Sequence, residues 1–175
     1  MNRKMTKLAL AVAAIAFAGG AWATDSGSGT MGVTASIAEE CSVGNTTALT
    51  FGQLSMFSSG SVSTAASDST GGGTFDAICT SGTTTPKLKF TSANAGGTST
   101  FRMVGTDTTT FIAYTLAESG GTAIAYDTAA AFTNFSADGT TKSLSIIGSV
   151  ADTEKSGKAK QAYGDTITIT TTYGI

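Results

Sequence analysis

The chain has 175 residues, ten of them Lys or Arg and twelve Asp or Glu, and no histidine. A formal net charge of −2 excludes the basic surface of a nucleic-acid binder, and the missing histidine removes Ser-His-Asp and Cys-His catalysis and every His-based metal site. With 41% hydrophobic and only 13% charged residues, the balance is also wrong for a disordered chain.

The first element is an export signal. "MNRKMTKLALAVAAIAFAGGAWATD" carries Arg3, Lys4 and Lys7, then an apolar run from Leu8 to Ala18. Ala21-Trp22-Ala23 places small residues at the two positions read by signal peptidase. This predicts a secretory signal peptide over residues 1–23. The apolar run is too short for a membrane anchor. Removing 23 of 175 residues leaves 152, which fits one domain. Three basic and no acidic residues leave with the signal, so the mature chain sets seven basic against twelve acidic residues, a net charge of −5.

"GTMGVTASIAEEC" follows, residues 29–41. Apolar Met31, Val33, Ala35 and Ile37 alternate with Gly32, Thr34 and Ser36, a period-two pattern that predicts a strand. Cys41 and Cys79 are the only cysteines. In an exported chain such a pair predicts one disulfide, and closing a loop of about 38 residues contributes about 4 kcal/mol in the chain-entropy account. A redox pair or metal site would have to manage with two isolated cysteines and no histidine.

In "CSVGNTTALTFGQL" the apolar residues are Val43, Leu49, Phe51 and Leu54; "SSGSVSTAASDSTGGG" reads as a loop. Strand patterns then recur in "TFDAIC", "PKLKFTSA", "STFRMV" and "TTFIAYTLAE", the last two divided by the turn-like "GTDT". "AAFTNFSADGT" holds an Asp138-Gly139 turn signal, and "KSLSIIGSV" is another strand. "ADTEKSGKAKQ" is the most charged stretch and reads as a solvated loop. In the closing "AYGDTITITTTYGI", Ile167, Ile169, Thr171, Tyr173 and Ile175 share one side and Thr166, Thr168, Thr170 and Thr172 the other. No helical periodicity stands out beyond the signal. About seven or eight short strands with turns between them predict an all-β antiparallel sandwich, with Thr suited to its exposed faces. No enzyme is expected. The acidic residues are scattered, Asp152 and Glu154 lie among Lys155, Lys158 and Lys160, and nothing fills the roles of nucleophile, base or oxyanion donor.

The order of these segments resembles the spore coat protein U-type subunits of archaic chaperone–usher pili, over essentially the whole mature chain. "ASIAEECSV" is similar to the family's leading strand running into its first cysteine, and "LTFGQL" to its Phe-Gly element. "FDAIC" resembles the strand with the second cysteine, "FRMV" and "FIAYTLAE" the paired central strands, and "AYGDTITITTTY" the closing Tyr-x-Asp strand. There are departures. Gln161-Ala162 replace the Gly or Pro common before Tyr-x-Asp, Gly174-Ile175 extend past the usual terminal aromatic, and the mature chain lacks a tryptophan.

The resemblance implies an incomplete immunoglobulin-like antiparallel sandwich, completed by a donor strand from a neighbouring subunit. It implies a donor extension over residues 24–38 and a pilin domain over 39–175. Met31, Val33, Ala35 and Ile37 would be the donor side chains, and the terminal strand with Ile167, Ile169 and Tyr173 would edge the acceptor groove. The implied partners are other copies of the chain, a periplasmic chaperone, an outer-membrane usher and a tip adhesin, with no cofactor. The implied role is a structural subunit of a surface fimbria used for attachment and biofilm formation. Alternation alone leaves another reading open. Residues 29–37 could pair within their own domain, giving a monomeric secreted sandwich that coats a surface or binds a ligand.

Overall fold

The computed structural model of the chain describes residues 27–54, 62–64 and 73–174. The expected signal peptide and Ile175 lie outside the described residues. Two units divide the chain, residues 1–36 and 37–175. In the first, residues 27–36 form neither helix nor strand, and Met31 and Val33 are 88% and 86% exposed.

Among its described residues the second unit is all-β apart from one helical turn. Its strands are β1 (Cys41–Gly44), β2 (Val62–Thr64), β3 (Gly73–Cys79), β4 (Lys87–Ser92), β5 (Phe101–Gly105) and β6 (Phe111–Glu118), then β7 (Ala123–Ile124), β8 (Lys142–Val150), β9 (Tyr163–Gly164) and β10 (Ile167–Thr172). The helical turn α1 spans Asp152–Lys155. One sheet runs β1-β3-β8-β6-β5-β9, with β2 added to β8 and β7 to β6; β10 and β4 make a second sheet. Every strand ladder is antiparallel.

The period-two pattern sets which side chains go inside. β3 buries Phe75, Ala77 and Cys79, β4 buries Leu88 and Phe90, and β8 buries Leu144, Ile146 and Val150. These join Phe101, Met103, Ile112, Tyr114, Leu116, Phe132 and Phe135 in one core fed by both sheets. Phe75 meets Phe90 and Phe132 edge-on, with ring centroids 5.9 and 5.7 Å apart. Fully burying each such side chain contributes roughly 1.5–3 kcal/mol. The Cys41–Cys79 disulfide forms as expected, joining the first rung of the β1–β3 ladder across a Cα–Cα distance of 4.1 Å. The expected "GTDT" turn closes the β5–β6 hairpin, where the Asp107 carboxylate accepts the amides of Thr109 and Thr110 at 3.1 and 3.0 Å.

Three local expectations need correction. The strand predicted from Gly29 onward does not form within the chain: residues 29–40 carry no strand pairing, and β1 spans only Cys41–Gly44, where the left-handed φ of 47° at Asn45 breaks the pleat. The stretch 58–73, read as a loop, holds β2, which pairs with Gly148–Val150 of β8. Three residues are too few to show a period; the partner strand specifies them. The stretch 151–161, read as a solvated loop, begins with α1, and Lys155 is 3% exposed and ion-paired with Asp152. The strand count exceeds the expected seven or eight because β2, β7 and β9 are only two or three residues long.

Candidate functional site

Where β1 ends, the chain does not leave the core. Residues 46–54 run on without strand pairing, and Leu49 and Phe51 pack against it. They seat over Gly148 of β8. A Cβ built there would stand 2.6 Å from Phe51 Cζ and 2.7 Å from Leu49 Cδ2. Gly148 does not adopt a left-handed conformation, so the position demands space and not backbone freedom. Phe51 also meets Tyr114 edge-on, with centroids 5.5 Å apart. Thr47 anchors the segment to β3: its amide donates to the Thr74 carbonyl at 2.8 Å, and its hydroxyl accepts the Thr74 amide at 2.9 Å.

A second segment faces this one. After α1 the chain passes through Lys158–Ala162 into β9 and Asp165. The Ala113 amide donates to Glu154 at 3.1 Å, and the Asp107 amide to Gln161 Oε1 at 3.0 Å. Asp165 accepts three hydrogen bonds: from the Tyr114 hydroxyl at 2.7 Å, from Asn94 Nδ2 at 2.8 Å and from the Thr166 amide at 2.8 Å. Burial, then the Asp165 hydrogen bond and its negative charge, push the Tyr114 phenol well above its usual range. The segment is therefore tied to β6 and to the β5–β6 turn.

Between the two segments lies a groove of about 1160 Å³. Its floor is core: Phe75, Met103, Ile112, Tyr114, Leu116 and Ile146. Residues 46–54 form one wall; the other runs from Lys158 through Asp165 to Ile167 and Ile169 of β10. β10 bonds to β4 along its whole length, Ile167 opposite Ser92 and Thr172 opposite Lys87. Among the described residues its other edge carries no ladder. An apolar trough beside an open strand edge can accept one further strand, main chain to β10 and alternate side chains to the floor.

The expected site residues fall as follows. Ile167 and Ile169 are half-buried and line the groove. Tyr173 follows β10, is 37% exposed, and does not line it. Met31, Val33, Ala35 and Ile37 all lie exposed in a stretch without strand pairing, Ile37 at 87%. Sequence reasoning missed the wall role of Leu49 and Phe51, the notch at Gly148 and the Tyr114–Asp165 bond. The Tyr-x-Asp element and the apolar pair inside "LTFGQL" were the available signals.

Residues 28–170 match the family model described as the Spore Coat Protein U domain. No curated protein sequence matches the chain. Among solved structures, the chain is similar in fold to the P pilus rod subunit PapA, with 18% identity and a TM-score of 0.51 over 77% of this chain and 99% of that one. A structure of the CsuC–CsuE chaperone–tip adhesion subunit pre-assembly complex, from archaic chaperone–usher Csu pili of Acinetobacter baumannii, matches at 14% identity and a TM-score of 0.49. That alignment covers 77% of this chain and 40% of the other. With four-fifths of its length inside the matched region, the chain belongs to the Spore Coat Protein U domain family.

Proposed function

We propose that the chain is a structural pilin that polymerises by donor-strand exchange. The carrying observation is the groove: an apolar trough of about 1160 Å³, floored by core side chains, runs along a strand edge that has no ladder partner among the described residues. The matching element is the extension over residues 24–38, whose Met31, Val33, Ala35 and Ile37 would fill the groove of the next copy. Burying Met, Val and Ile there contributes roughly 1.5–3 kcal/mol each, and each new main-chain hydrogen bond about 1 kcal/mol. The contact is head-to-tail and does not close on itself, so it builds a filament.

On this reading the chain is exported to the periplasm, where a chaperone strand covers the groove. An outer-membrane usher exchanges that strand for the extension of the next copy, and the product is a surface fimbria with an adhesin at its tip, serving attachment and biofilm formation. Its role is mechanical and not catalytic. The test deletes Thr24–Ala38 and co-expresses the remainder with the periplasmic chaperone. The expected product is a soluble chaperone-bound subunit that forms no boil-sensitive multimers on a gel. A truncated chain that still assembles into such a ladder removes the donor assignment.

A further inference from the structure

The groove has a charged end. Lys158 and Lys160 line it on the side where the chain enters β10. Other charges there are engaged: Lys155 with Asp152, Glu154 with the Ala113 amide, and Asp165 with three donors. Lys158 and Lys160 form no ion pair among the described residues. A complementary pair sits at the other end of the exchange. Glu39 and Glu40 follow Ile37 after one residue, Ala38, are exposed, and form no ion pair among the described residues.

Resting on the donor-strand reading, we propose that Lys158 and Lys160 receive Glu39 and Glu40 of the incoming copy, and that this contact sets the direction in which the donor enters. A donor antiparallel to β10 passes Ile169 and Ile167 and points its C-terminal end at the lysines. Each extended residue advances about 3.3 Å, so Glu39 and Glu40 lie within about 10 Å of the Ile37 position, inside the reach of two long side chains. A parallel donor carries the same acids toward the far end of β10. There the receiving copy holds its own Glu39, whose Oε2 lies 3.9 Å from where a Cβ on Gly174 would stand. One direction meets two lysines; the other meets a single lysine, Lys87 opposite Thr172, together with the receiving copy's own Glu39, whose like charge disfavours the wrong orientation. Charges at the rim of an interface act mostly on the rate of association and on its salt dependence.

The test uses the full chain exported into an oxidising periplasm, with boil-sensitive multimers followed on a gel. Lys158→Glu/Lys160→Glu and Glu39→Lys/Glu40→Lys should each assemble about tenfold more slowly, the scale on which electrostatic steering sets encounter rates. The chain with all four changes should recover, because every copy then carries the swapped pair. Raising salt to about 0.5 M should slow the unaltered chain and speed the single-sided variants, whose like charges it screens. Val33→Asp is the control for the underlying reading, since it puts a charge on the donor's apolar face. If Val33→Asp blocks assembly while the charge variants assemble normally, or the swapped chain is no better than either half, the lysine–glutamate contact is refuted and donor exchange stands. If Val33→Asp assembles normally, both readings fall.

Discussion

Gly148→Ala separates two physical arguments by the sign of its effect. Gly148 lies inside β8, paired with Thr64 on one side and Leu116 on the other. Backbone entropy alone says that Ala should stabilise a strand interior by roughly 0.5–1 kcal/mol. The packing says the opposite. The new methyl would sit 2.6 and 2.8 Å from Phe51 Cζ and Cε1 and 2.7 Å from Leu49 Cδ2. Ordinary carbon contacts lie at about 3.5–4.0 Å, so ring and leucine must both retreat by about 1 Å. Overpacking of this size costs about 1–3 kcal/mol, which outweighs the entropic gain. Urea denaturation of the oxidised mature chain should show a loss of about 1–2 kcal/mol at unchanged m-value. In a Leu49→Ala/Phe51→Ala background the obstruction is gone, and the same substitution should stabilise by roughly 0.5–1 kcal/mol. If Gly148→Ala stabilises the unaltered chain, or has the same sign in both backgrounds, the notch does not hold the wall in place.

Three further outcomes follow from the geometry. Replacing Cys41 and Cys79 with Ala should cost about 4 kcal/mol by urea denaturation, from a closed loop of about 38 residues; a loss below about 1 kcal/mol would show that the loop is already constrained in the unfolded chain. Tyr114→Phe removes the donor to Asp165 and should cost about 1.5–3 kcal/mol near neutrality. Because the folded phenol is raised, its contribution is complete below the ordinary value of about 10 and is lost as pH climbs above it, so stability should fall more steeply above pH 10 in the unaltered chain than in Tyr114→Phe. The Asp107 carboxyl is held well below the usual range, first by the Thr110 hydroxyl and amide and then by Gln161. Its contribution is present above the ordinary carboxylate value and lost on acidification, so Asp107→Asn should flatten the acid side of the stability profile; an unchanged profile would refute the turn's role.

Much of the sandwich can be read from alternation, because β3, β4, β5, β6 and β8 each bury every second side chain. Alternation fails where a neighbour overrides it. Leu49 and Phe51 keep the spacing of a strand, yet Asn45 turns the chain and the pair becomes a wall. Lys155 sits in the most charged stretch, but its ion pair with Asp152 takes it inside. Tyr114 and Asp165 meet across 51 positions of sequence, a tertiary contact that no local pattern announces. Gly148 looks like a weak point in "SLSIIGSV"; only the packed partner shows that its missing side chain is the feature. The alternation of β10 shows that Ile167 and Ile169 share a face, while their place at a groove edge comes from the family resemblance. Tyr173 was extrapolated along the same stripe past the end of the strand. The pattern of the leading segment was plain, but its destination came from the family resemblance, since an apolar stripe does not say whose groove it enters.

The disulfide has a mechanical consequence. Tension on the chain ahead of Cys41 reaches the domain at the end of β1, where an antiparallel ladder would peel rung by rung. Cys41 and Cys79 are partners on that terminal rung, so the covalent bond stops the peel before it starts. The pull is handed to β3 and through it to β8, inside the larger sheet. An oxidised molecule must therefore shear a two-sided strand before it yields, whereas a reduced one can unzip from its weakest edge.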